Sequence, residues 1–132
     1  MISNATFTTS DFEPTDFVPD ITTGLTTGHL RMIKHFEGGI SGRSITQFTS
    51  AFDQQTGVGT YVAMESFEGT VDGRHGTFNL VHAASTSGTD RANEYGLIVP
   101  SSGTGELSGI RGSVTMQVDP DGIHRMVFDY EV

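Results

Sequence analysis

The chain has no cysteine among its 132 residues, which excludes disulfides and thiolate chemistry and accords with a reducing cytoplasm. Lys and Arg are scarce, seven against sixteen Asp and Glu, and they form no cluster. The resulting formal charge of −9 repels a phosphate backbone and argues against nucleic-acid binding. No apolar run approaches the ~20 residues of a membrane-spanning helix. The amino terminus, MISNATFTTSDFEP, lacks the basic start and apolar core of a secretion signal. The expectation is a soluble, cytoplasmic protein with no membrane partner. Asn4-Ala5-Thr6 matches a glycosylation sequon, a chance match without secretion. No window has the periodicity of an amphipathic helix.

What is present is turn chemistry. Seventeen Gly, four Pro and evenly scattered Ser and Thr divide the chain into short apolar-polar alternations, the pattern of an all-β domain. Eight strands are predicted, at 3–10, 28–38, 43–53, 59–71, 76–87, 91–99, 109–119 and 123–132. Most connections are short and contain Gly, which favours antiparallel neighbours because a parallel pair needs a long crossover. The exception is 11–28, whose Pro14, Pro19 and acidic residues Asp11, Glu13, Asp16 and Asp20 read as a long solvated loop, a lid or a plug. At 132 residues the chain is one domain. Eight meandering strands close most readily into an antiparallel barrel, which removes exposed edges and leaves an interior able to hold side chains or one small ligand.

Alternation assigns faces. Ile110, Val114, Met116 and Val118 share one face of the seventh strand, and Met126, Phe128, Tyr130 and Val132 point inward from the eighth. The fifth contributes Phe78, Leu80, His82 and Ala84. The third favours Phe48 and Phe52, while in the sixth the phase of Tyr95, Leu97 and Val99 competes with that of Gly96 and Ile98. Three ionisable residues travel with apolar sets: Lys34 with Leu30, Met32 and Phe36; Glu65 with Tyr61, Ala63 and Phe67; and His82 in the fifth strand. A charge removed from water is costly unless paired, so these three either meet or line a wet cavity. Centring the turn between the fourth and fifth strands on Gly73 and Arg74 places Glu65 opposite His82. Such a pair could act as a general base in an isomerisation or cyclisation.

Other motifs carry less. His29 and His35 share a face but lie roughly 20 Å apart along an extended strand, too far for one ion, so no metal site is expected. Gly103-Thr-Gly105-Glu-Leu-Ser-Gly109 lacks the dinucleotide spacing and precedes a strand, so it reads as a corner, with no cofactor implied.

The segments Glu65-Ser-Phe67-Glu-Gly69-Thr-Val-Asp72-Gly73-Arg-His-Gly76-Thr-Phe78, Pro100-Ser-Ser-Gly103-Thr-Gly105-Glu-Leu107-Ser-Gly109-Ile-Arg-Gly112 and Phe128-Asp129-Tyr130-Glu131 resemble a bacterial family, domain of unknown function 3224. The second segment is also similar to the Gly-Thr-Gly turn of allene oxide cyclase and dirigent barrels. The resemblance implies an allene oxide cyclase-like barrel of eight strands and no assigned activity; the cyclase and dirigent proteins bind apolar small molecules in the barrel, commonly as oligomers, but only their fold-making glycines are matched here and no catalytic residue. Gly96, where the family pattern has a larger side chain, implies a wider interior here.

Three functional readings follow. The first is binding of a small apolar ligand in the barrel by Lys34, Tyr61, Phe78, Leu80, Phe128 and Tyr130. The second is an isomerase or cyclase using Glu65 and His82. The third is a filled barrel that self-associates through its outer surface as a homo-oligomer.

Overall fold

Strands with one apolar face bury it by closing the sheet on itself. In the computed structural model, which covers residues 1–132, eight strands run β1 (Ile2–Pro14), β2 (Thr26–Gly38), β3 (Ile40–Phe52), β4 (Val58–Val71), β5 (Arg74–Ser87), β6 (Ala92–Ile98), β7 (Arg111–Val118) and β8 (His124–Glu131). They follow chain order around a closed antiparallel sheet, and β8 returns to pair with β1 from Ile2 opposite Asp129 to Phe7 opposite His124. No helix is long and apolar enough to cross a membrane.

The interior has two halves. At the end bearing the β2–β3 and β4–β5 turns, Phe36, Ile40, Phe67, Val71, Phe78, Leu80, Phe128 and Tyr130 pack into one apolar cluster. Phe67 and Phe78 lie 4.8 Å apart between ring centroids, and Phe78 meets Phe128 edge-on at 5.9 Å. The β6–β7 connection folds back over this end. Its short 3₁₀ turn, Gly105–Leu107, inserts Leu107 and Ile110 as a stopper. Thr104 ties that connection to Thr77 of β5 through main chain and hydroxyl. Gly42 and Gly69, paired across β3 and β4, permit the narrowing. Both have φ near +150°, at 144° and 151°, and a Cβ on Gly42 would lie 2.2 Å from the Glu68 carbonyl oxygen.

The structure corrects several sequence expectations. The β4–β5 turn centres on Asp72-Gly73, with φ of 48° and 84°, because a two-residue hairpin of this twist needs positive φ at both central residues and Asp tolerates it. Glu65 therefore faces Leu80, and His82 faces Ala63. The first connection is only residues 15–25, since β1 and β2 extend into the segment read as loop. Its apolar side chains Phe17, Val18 and Ile21 are exposed, so it does not plug the barrel. In β6, Ile98 is buried and Tyr95 exposed, and Val132 lies outside the core. Gly96 does not widen the interior: a Cβ there would lie 2.0 Å from the Val114 carbonyl oxygen, so β7 backbone occupies that space.

The Asp72 carboxylate also locks the filled end. It accepts hydrogen bonds from Ser3 Oγ at 2.8 Å and Tyr130 Oη at 2.5 Å, joining the hairpin to β1 and β8. Asp72→Ala removes both charge-assisted bonds and a residue suited to positive φ; urea unfolding is expected to show a loss of about 2 kcal/mol.

Candidate functional site

Above the apolar cluster the interior becomes polar. Lys34 on β2 reaches over β3 to Glu65 on β4, with Nζ to Oε2 at 2.8 Å, and both are buried. The intervening β3 positions are Ser44, opposite Lys34, and Thr46, opposite Glu65. Their small side chains leave room for the lysine to span, and Ser44 Oγ donates to Glu65 Oε1 at 2.7 Å. Lys34 is the only lysine in the chain, and its Nζ also sits 4.9 Å from the centroid of the Phe7 ring.

Closer to the open end, a directional chain of hydrogen bonds runs through His82. A carboxylate can only accept, and Glu94 Oε2 lies 2.6 Å from His82 Nε2, so the ring proton sits on Nε2. Nδ1 then accepts from Tyr61 Oη at 3.0 Å, and that oxygen accepts from Arg91 Nε at 3.1 Å. Glu94 reaches this position because the β5–β6 register shifts between Ala83 and Ser85, where Asn93 has φ of 52°. The same oxygen also accepts the Met116 N–H at 2.8 Å. That bond compensates for β6 and β7, which pair only at Leu97–Ser113 and Ile98–Gly112. Burial lowers the His82 pKa below the ordinary histidine value of 6.5, against the opposing pull of Glu94. His124, near the same end, is lowered by burial and by Arg91 and Lys34. Burial raises the Tyr61 pKa, so its hydroxyl remains a donor at neutral pH.

At the open end lies a cleft of about 440 Å³ over the paired ends of β2 and β3, bordered by Pro14 and the β3–β4 turn. Leu30, Phe48 and Phe52 supply its apolar walls, with Pro14, Thr26, Ser50 and Asp53 around the rim. Phe48 stacks on Tyr61 at 5.1 Å and 18° between planes, so the cleft floor rests against the His82 chain.

Residues 3–130 match the family described as "Protein of unknown function (DUF3224)". The chain belongs to the DUF3224 family. It is also similar to a crystal structure of a protein with unknown function from the DUF3224 family of Shewanella oneidensis MR-1, at TM-score 0.83 and 28% identity, covering 99% of this chain and 96% of that one. No curated protein matches the chain.

In this DUF3224 barrel the residues expected at the site are divided. Lys34, Tyr61, Glu65 and His82 lie in the polar half, whereas Phe78, Leu80, Phe128 and Tyr130 belong to the packed apolar cluster. The expected Glu65–His82 pair is replaced by Lys34–Glu65 and His82–Glu94, because the turn register differs by one residue at its centre. Sequence reading missed Ser44, Thr46, Arg91 and Glu94. Ser44 and Thr46 share the phase of Phe48, a signal that was available. The inward turn of Glu94 depends on a bulge that alternation does not reveal.

Two outcomes follow. Lys34→Met leaves Glu65 buried without its counter-ion and is expected to cost about 3–5 kcal/mol in urea unfolding. Lys34→Met combined with Glu65→Leu should cost clearly less than the two single changes added together. Because His82 and His124 are lowered in the fold, the unfolded chain binds their protons first. Stability is thus full above pH 6.5 and falls as pH drops through that value. Urea unfolding at stepped pH from ~7.5 to ~5.5 should show this decline, up to ~1.4 kcal/mol per pH unit per histidine, and His82→Gln should make it shallower, leaving the share of His124.

Proposed function

We propose that this protein binds a small, mostly apolar, uncharged molecule at the open mouth of its barrel. The observation that carries the reading is the cleft of about 440 Å³ at the mouth ends of β2 and β3 and the turn after β3. That volume lies within the ~300–1,000 Å³ typical of ligand sites. The deeper interior is occupied by its own aromatic side chains, so the ligand sits against Leu30, Phe48 and Phe52, and Tyr61 stiffens the floor by stacking on Phe48. Lys34 and Glu65 then act beneath the site as its polar support.

A proton-transfer reading draws on the 2.6 Å contact between His82 and Glu94. Glu65 is committed to Lys34, so the carboxylate in that reading is Glu94. Both ring nitrogens of His82 are engaged, and a substrate would have to displace Tyr61 or Glu94 to reach one.

The uncharged fluorophore N-phenyl-1-naphthylamine tests the binding reading. Its emission is expected to rise on addition of the protein. Leu30→Asp, which places a charge in the apolar wall, should weaken binding at least ~10-fold with the melting temperature retained. Absence of binding, or binding indifferent to Leu30→Asp and Phe52→Asp alike, would reject the mouth as the site.

A further inference from the structure

The outer wall of the barrel is strongly uneven in charge. On β1, β2, β7 and β8 it carries Glu13, Arg31, Glu37, Arg111, Arg125, Asp129 and Glu131. On the opposite wall, the outward positions of β3 from Ile45 to Ala51, β4 from Val58 to Ser66, β5 from Thr77 to Ser85 and β6 at Tyr95 and Leu97 carry none. At its centre, direct cross-strand pairing makes one apolar surface: Val62 faces Ala83, which faces Tyr95, and Met64 faces Val81, which faces Leu97. Val62 is 49%, Met64 44% and Tyr95 58% exposed.

We infer that this β4–β5–β6 face is the interface of a homodimer, its occupant the same face of a second copy. The charge distribution selects that occupant. Two chains of formal charge −9 repel overall, and a contact through the uncharged wall brings no like charges directly together. The patch consists of side chains on the outer wall of a closed sheet, not of the unpaired backbone of β6 and β7, so the contact is face to face. An apolar patch with a neutral Thr, Ser, Gln and Asn rim is complementary to itself under two-fold symmetry. With strands ~4.8 Å apart and ~3.3 Å per residue, the neutral wall projects roughly 500 Å². That is the greater part of the ~800 Å² per partner in a stable interface. This inference is independent of the ligand site, which lies at the barrel mouth.

Sedimentation equilibrium of the full chain over ~1–100 μM tests it. A monomer–dimer equilibrium is expected, tightening as salt rises from ~50 to ~500 mM, because the contact is apolar and the subunits carry like charge. Val81→Glu places two like charges at the centre and should weaken the dimer at least ~100-fold. Tyr95→Ser, which only removes apolar area, should weaken it ~10-fold, and it keeps the test valid if the buried neighbours of Val81 make the first variant unfold. Thr8→Glu, exposed on β1 across the ring from β5, should have no effect. A strictly monomeric protein at ~100 μM, a dimer that weakens with salt, or a dimer insensitive to both Val81→Glu and Tyr95→Ser would overturn the inference.

Discussion

The Lys34–Glu65 ion pair lies inside a closed sheet where neither charge has water to solvate it. Desolvation of both ions costs several kcal/mol each, and only close pairing with further hydrogen bonds offsets it. Much of the middle of the barrel follows from that requirement. Ser44 and Thr46 must be small for the lysine to cross β3, and Ser44 must be a donor to satisfy the second carboxylate oxygen. No buried side-chain nitrogen or oxygen lacks a hydrogen-bond partner, so the polar layer is complete without any ligand. A complete network of this kind sets the register of β2, β3 and β4, since a one-residue slip would turn every one of these groups outward.

This layer separates two regions with different capacities. Below it, aromatic rings, Leu107 and Ile110 fill the barrel. Above it, at the mouth end of the paired β2 and β3, Leu30, Phe48 and Phe52 border a cleft. His82 sits between the regions, held from one side by the Arg91–Tyr61 pair and from the other by Glu94. Glu94 has two tasks: it holds the imidazole, and it accepts the Met116 N–H that β6 does not pair. Membership of the DUF3224 family and the Shewanella structure account for the architecture and leave the chemistry to be read from these side chains.

Strand placement was largely legible in the sequence, because alternation and Gly-bearing turns are local signals. All eight predicted strands are present, and the inward sets of β5 and β8 hold from Phe78 to Ala84 and from Met126 to Tyr130. The pairing of Glu65 was not legible to the same degree. A single residue at the turn centre, Asp72 in place of Arg74, moved its cross-strand neighbour from His82 to Leu80. Its true partner comes from β2, thirty-one residues away, a contact that no hairpin rule addresses.

Composition and alternation were enough to establish that this chain is all-β and without thiols, that Lys34, Glu65 and His82 point inward, and that a ring of strands is the economical way to bury their neighbours. Those properties follow from composition and from a side-chain period of two, which every strand shares. Folding was needed to show which buried charge meets which, that β7 backbone rather than empty space lies against Gly96, and that a bulge turns Glu94 onto His82. These depend on the shear of a closed sheet and on a one-residue irregularity. Both act between strands distant in sequence, so neither leaves a local pattern to read.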